Sequence, residues 1–335
     1  MNMKKRVLAF VLAAVMVIAM TACGTKENKE SDEIKKTAED INIAVMTGPT
    51  AIGLVKVMSD NEAGTAANNY HFNVYGTADE ISTGLLKGEL DVACIPCNLA
   101  SVLYNKSEGE IITAAVNTLG VLYIVETGNS IQSVEDLRGK TIYSTGQGTT
   151  PEFTLRYLLS SSGIDPDKDV TIEYKSEAAE VAAMLAEAAD AVAMLPQPYV
   201  TAAMNQNENL RIALSVTDEW ERLNEDSTVV TGVLVARKSF LEEHTEAFES
   251  FLKEYKLSAA YTNENVEEAA KLIEHFGIFK EAIAKKAIPY CNVTFLTGEE
   301  MKKQISAYLQ VLYDQKPASV GGKLPADDFY YQSEK

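Results

Sequence analysis

The chain of 335 residues is poor in the side chains that most enzyme chemistry uses. It has three histidines, His71, His244 and His275, far apart in sequence, and four cysteines. Scattered imidazoles of this kind supply no metal cluster. They also give no Ser–His–Asp or Cys–His arrangement. No catalytic residue, metal or cofactor is therefore expected, and the chain is not read as an enzyme. With Cys23 set aside, Cys94, Cys97 and Cys291 are odd in number, which is not a disulfide framework. Cys94 and Cys97 have redox-motif spacing but end a predicted strand instead of opening a helix, so they are read as small buried residues. Positive charge is also scarce. Lys and Arg number 30 against 48 Asp and Glu, giving a net charge of −18. That balance argues against nucleic acid as a partner and against a polybasic membrane patch. Long apolar runs are confined to Val7–Met20, which is shorter than the ~20 residues that span a bilayer.

The N-terminus is informative. Lys4, Lys5 and Arg6 precede the apolar run, and Thr21, Ala22 and Cys23 follow it. This order is that of an export signal, over residues 1–22. Met20-Thr21-Ala22-Cys23 resembles the bacterial lipoprotein signal, so Cys23 is the expected lipidation site. Residues 23–40 are rich in Lys, Glu, Ser, Asp and Thr, a composition that cannot bury enough surface to order itself. They read as a solvated tether. The expected location is the extracellular face of the bacterial cytoplasmic membrane, held by the N-terminal lipid, or the periplasm. The remainder is expected to be a soluble monomer.

From Ile41 onward, short apolar strands alternate with segments of helical spacing, and the pattern restarts near Ser133. Leu86–Asn98 (LKGELDVACIPCN) and Ala186–Pro198 (AEAADAVAMLPQP) echo each other: each runs through an acidic residue and an apolar strand to a proline. The expected fold class is α/β with two lobes, each a mostly parallel sheet flanked by helices. After the strand near Val229–Ala236 the chain turns helical, and these helices are expected to cover the first lobe. Lobe 1 is assigned to 41–125 plus 228–335 and lobe 2 to 126–227. The chain would cross between them near Tyr123–Thr127 and Leu223–Thr231, a two-stranded hinge suited to closing on a ligand.

Ligands of open α/β sheets sit outside the carboxyl ends of the strands, so four loops become the candidate site. Thr47, Gly48, Pro49 and Thr50 follow the first strand. Pro96, Cys97 and Asn98 follow the strand that ends at Ile95. In Thr145-Gly146-Gln147-Gly148-Thr149-Thr150 two glycines free the backbone and hydroxyls supply donors. Thr149 and Glu152 have capping-box spacing. The loop lacks the lysine of a nucleotide P-loop. Finally Gln197 and Tyr199 sit in a loop stiffened by Pro196 and Pro198. None of these four loops holds Lys or Arg, so a bound anion would rely on neutral donors and helix termini.

Met46-Thr47-Gly48-Pro49-Thr50, the strand Asp91–Ile95 with Pro96, the run Val134-Glu135-Asp136-Leu137-Arg138-Gly139-Lys140-Thr141 and the loop Leu195-Pro196-Gln197-Pro198 resemble the substrate-binding lipoproteins of ABC importers. The group is the one serving nitrate, sulfonates, taurine and thiamine-pyrimidine precursors. The resemblance implies a periplasmic-binding-protein fold of the second type and a permease partner. It also implies a small polar organic or oxyanion solute held between lobes. The alternative it leaves open is a heterocyclic vitamin precursor. A pyrimidine-synthase-like enzyme is the more distant rival, whose cysteine-rich motif this chain does not carry.

Overall fold

The computed structural model describes residues 38–332. The expected signal 1–22, the lipidation site Cys23 and the tether up to residue 37 lie outside the described residues.

Eleven strands form two sheets. The first contains β1 (Asp40–Met46), β2 (Asn69–Tyr75), β3 (Val92–Pro96), β4 (Ile111–Leu119), β10 (Val230–Arg237) and β11 (Val293–Leu296), in the order β11-β4-β10-β3-β1-β2. The second contains β5 (Leu122–Thr127), β6 (Thr141–Ser144), β7 (Thr171–Tyr174), β8 (Val192–Pro196) and β9 (Leu210–Ser215), in the order β7-β6-β8-β5-β9. The two orders correspond. β2-β1-β3 matches β7-β6-β8, and each sheet then takes one strand of the crossover, β10 in the first and β5 in the second. The echo between Leu86–Asn98 and Ala186–Pro198 is this correspondence, since β3 and β8 hold equivalent places and both end in proline.

The two-sheet α/β architecture is as expected, but the sheets are mixed and not mostly parallel. β1 pairs parallel with β2 and β3, and β6 with β7 and β8. β10 pairs antiparallel with β3 and β4, and β5 with β8 and β9. The reason is connectivity. A strand that arrives from the other lobe has no βαβ crossover to set it parallel to its neighbours. β5 belongs wholly to the second sheet, so the first crossing falls at Gly120 and Val121, a few residues before the expected Tyr123–Thr127.

The helices form where expected, with three changes. The predicted helix Thr50–Asn61 is two, Pro49–Ile52 and Val55–Glu62, broken at Gly53. A Cβ there would stand 3.0 Å from Val293 of β11. Lys238–Thr262 divides at His244 into Lys238–Glu243 and Thr245–Glu264. The helix Val216–Leu223 was not foreseen. It carries the single tryptophan, Trp220, fully buried between Tyr157 (ring centroids 4.7 Å apart) and Tyr308 (5.0 Å). Tyr308 lies on the helix Gly298–Gln315, which packs on β4. One continuous apolar cluster therefore runs from Ile81, Ile95 and Leu309 of the first lobe to Ile142, Leu155 and Trp220 of the second. A second cluster, with Phe248, Phe251 and Tyr255, lies on the other face of the first sheet. Cys94 faces that second cluster and Cys97 the first, so the two thiols lie in different layers; with Cys291 they are buried and unpaired.

Candidate functional site

The carboxyl ends of β1, β2 and β3 in one lobe, and of β6, β7 and β8 in the other, open onto one cavity of about 450 Å³. The start of each crossover strand completes it, with Leu122 from β5 and Thr231 from β10. Three loops from each lobe therefore meet there, as the strand-end rule requires.

Ten of the residues read from the sequence line this cavity: Thr47, Pro49, Thr50, Pro96, Thr145, Gly146, Gln147, Thr149, Thr150 and Tyr199. Gly48 lies at its edge. A Cβ on Gly48 would sit 3.7 Å from the Tyr199 ring, and its φ of 135° is one that side-chain-bearing residues avoid. Gly146 also has positive φ, and a Cβ there would come within 2.7 Å of the Thr149 hydroxyl and 2.9 Å of Pro151. The turn needs glycine to bring Thr145 and Thr149 to the wall together.

Four expected contacts serve elsewhere. Cys97 is fully buried in the apolar core, and burial pushes its thiol pKa up. Asn98 is 0% exposed. Its amide nitrogen donates to the carbonyls of Gly148 (3.3 Å) and Ser319 (2.9 Å), and its oxygen accepts from the Thr150 hydroxyl (3.3 Å). It is a buried tie between lobes. Gly148 donates its N–H to Glu152 (2.7 Å). Gln197 turns its oxygen back to the N–H and hydroxyl of Thr201, at 3.2 and 2.7 Å. The capping box does not form, because the Thr149 hydroxyl donates to Gly146 O at 2.7 Å instead.

Two loops escaped the sequence reading, Gly76–Asp79 after β2 and Lys175–Ala178 after β7. Both follow parallel strands, so the rule used for the other four applied to them as well. The strands before them were read from the sequence, at Tyr70–Tyr75 and Val170–Tyr174, but the site was drawn only from the loops after β1, β3, β6 and β8. These loops bring the charges of the site. Lys175 is 3.7 Å from Glu173 and lies over the Tyr143 ring. Asp79 and Glu177 stand exposed at the rim, one on each lobe. The Glu177 carboxylate rests against Gly76 across the mouth, where a Cβ would be 2.6 Å from its oxygen. The lobes are thus in contact at both ends of the cavity, through Asn98 with Gly148 and Thr150, and through Gly76 with Glu177.

The inner wall is hydroxylic. Thr145 and Tyr199 are 8% and 9% exposed and line the cavity, and the hydroxyls of Tyr174 and Thr231 in the same wall are buried with no hydrogen-bond partner among the described residues. Burial, with Glu177 nearby, pushes the Tyr199 phenol up to about 12, so it remains a neutral donor. Burial raises Tyr174 as well. Leaving such groups unpaired costs about 1–3 kcal/mol each when water is excluded, so the wall is built for a polar occupant. The three histidines pair with surface acids, His71 with Asp40, His244 with Glu39 and His275 with Glu62.

A two-lobed α/β body with a hydroxyl-lined cavity at facing strand ends is the architecture of a solute-binding protein. Residues 63–285 match the model of the family described as ABC transporter, phosphonate, periplasmic substrate-binding protein, and the chain belongs to that family. No curated protein matches the chain. Among solved structures it is similar to an ABC transporter from Parabacteroides distasonis, with 24% identity and a TM-score of 0.72, over 88% of this chain and 99% of that one. It is also similar to the periplasmic aliphatic sulphonate binding protein SsuA from Escherichia coli, at 16% identity and TM-score 0.69, over 89% and 94%. The periplasmic nitrate-binding protein NrtA from Synechocystis PCC 6803 aligns at 14% identity and TM-score 0.56, over 71% and 66%. These likenesses speak to the fold. The family makes the chain a periplasmic substrate-binding component of an ABC transporter. Among the described residues no helix is long and apolar enough to cross a membrane.

Proposed function

We propose that the chain captures a small polar organic or oxyanion solute between its lobes and delivers it to an importer permease without changing it chemically. The observation that carries this reading is the pair of buried, unpartnered hydroxyls of Tyr174 and Thr231, one from each lobe, in a cavity that both lobes wall and onto which Thr145 and Tyr199 also open. Thr47, Thr50, Gln147, Thr149 and Thr150 add neutral hydrogen-bonding groups to the same wall. The lobes rotate about Gly120–Val121 and Asn224–Val229, opening the mouth between Gly76 and Glu177 and closing it on the solute. The phenol rings of Tyr174 and Tyr199 in the wall support a second reading, a planar heterocycle such as a thiamine-pyrimidine precursor.

Cys23 carries the lipid that keeps the folded body at the extracellular face of the cytoplasmic membrane, and the tether assigned to residues 23–40 gives it reach. Membrane fractionation of Cys23→Ala tests this, and retention of the variant in the membrane would refute the anchor. For the solute, mass spectrometry of small molecules released from the denatured full-length protein decides. A stoichiometric, chemically intact polar solute is expected. Turnover of that solute by the protein would replace transport with catalysis.

A further inference from the structure

The charges around the cavity carry a conclusion about the solute that the family description does not contain. Among the residues lining the cavity the only cation is Lys175, and a Glu173 oxygen stands 3.7 Å from it. Asp79 and Glu177 contribute two carboxylates. They come from opposite lobes: Asp79 lies in the first turn of the helix Ala78–Lys87, and Glu177 immediately precedes the helix Ala178–Glu187. Glu177 reaches across the mouth to Gly76, three residues before Asp79, so closely that a Cβ there would stand 2.6 Å from its carboxylate oxygen. The cavity thus carries one carboxylate from each lobe, an arrangement that a positive charge lying between them would stabilise.

We propose that Glu177, with Asp79, determines specificity: the cleft takes a small organic solute bearing a positively charged nitrogen, which these carboxylates hold at the mouth, and it disfavours dianions. The inference rests on the cleft being the solute site. The rest of the cavity fits it. Thr145 and Tyr199, both nine-tenths buried or more, and the unpartnered hydroxyls of Tyr174 and Thr231 grip the inner, polar end of the same molecule. A volume of about 450 Å³ admits an organic skeleton between the two ends and is far larger than an inorganic oxyanion needs. A dianion would instead meet two carboxylates and one ammonium already facing Glu173. A cation at the mouth would pair with a carboxylate from each lobe and hold the lobes together, so the group that reads the solute also reports its arrival to the hinge.

The test compares wild type with Glu177→Gln, which keeps the shape of the Gly76 contact and removes the charge. Calorimetric titration of the full-length chain uses taurine against ethanesulfonate, which differ by the amine, and methylphosphonate at pH 8.5 as the dianion. Taurine is expected to bind at least tenfold more tightly than ethanesulfonate to the wild type, with methylphosphonate weakest and the taurine advantage lost in Glu177→Gln. Equal affinity for taurine and ethanesulfonate, or a preference that survives in Glu177→Gln, overturns the proposal. If none of the three binds, the solute released from the purified wild type decides: a nitrogen cation supports the proposal, and a nitrogen-free anion overturns it while leaving the transport reading in place. No bound solute in either measurement removes both.

Discussion

At the scale of single residues, most of the cavity wall depends on groups whose surroundings fix what they can offer. The Tyr199 phenol stays protonated far above physiological pH, because burial and the nearby Glu177 both disfavour the phenolate. Its ring is held edge-on by Phe279, with centroids 4.9 Å apart. Tyr199→Phe keeps that contact and deletes only the hydroxyl. Stability should change by less than about 0.5 kcal/mol, while affinity for the released solute falls roughly five- to tenfold, by about 1–1.5 kcal/mol. Titration calorimetry and a thermal melt measure the two effects separately. Glu126 shows the opposite case, a buried charge with a structural role. Burial alone would raise its pKa, but the N–H of Ile131 (3.0 Å), the hydroxyl (2.9 Å) and N–H (3.0 Å) of Ser130, and Arg211 together lower it below the ordinary value near 4.5. A lowered folded-state pKa means that the stabilisation is complete above the unfolded value and is lost as pH falls through the lower, folded value. Glu126→Gln should therefore cost about 2 kcal/mol at pH 7. The gap from wild type should narrow as the pH drops below 4.5 toward the folded value. Melting temperatures of both proteins across that range test the sign.

At the scale of elements, the site is held by ties between one lobe's strand ends and the other's helix. The helix Thr150–Ser161 is fixed to the first lobe twice in its opening turns, by Thr150 on Asn98 (3.3 Å) and by Thr154 on the Tyr308 hydroxyl (2.8 Å). Asn98→Ala strips a partner from the buried Ser319 carbonyl, from the Gly148 carbonyl and from the Thr150 hydroxyl. It should destabilise the fold by about 2–4 kcal/mol, read from chemical denaturation. A melt unchanged from wild type would mean that Asn98 faces the solute after all. The sequence placed Asn98 at a strand end correctly but could not say which way it turns, because its partners Gly148 and Ser319 come from remote parts of the chain. The same holds for Gln197, whose partner is its own helix at Thr201. Legible were the elements that depend on local pattern: β1, β3, β6 and β8 as apolar runs ending in Gly- or Pro-containing loops, and the helices with apolar spacing. Legible too were β2 and β7, read at Tyr70–Tyr75 and Val170–Tyr174, but the loops after them, which carry Asp79, Lys175 and Glu177, were not counted among the strand ends that form the site. β11 was missed because it is a four-residue strand set by its pairing with β4, whereas the helix around Trp220 carried local signals that were passed over, a Ser215 cap on Asp218 and acids in its first turn.

At the scale of the whole molecule, the arrangement is asymmetric. On one side the lobes share a continuous apolar core through Trp220, Tyr308 and Leu122, together with the buried Asn98 tie. Away from that seam they meet through Gly76 against an exposed Glu177, through the Tyr199 ring against Phe279 and through Lys286 on Asn205 (2.9 Å). Separating the apolar seam exposes large buried surface, whereas parting the mouth exposes little, so the motion is a swing about the seam that opens the Gly76–Glu177 side. The antiparallel crossover strands β5 and β10 suit this, since each is built into the middle of a sheet and transmits rotation without unravelling. The central claim is that a solute bridges the lobes and holds this swing shut. Solution X-ray scattering tests it directly, on the chain stripped of bound solute and again after the released solute is restored. The account predicts a smaller radius of gyration with solute present and a return to the larger value on stripping; superimposable curves in the two states would contradict it.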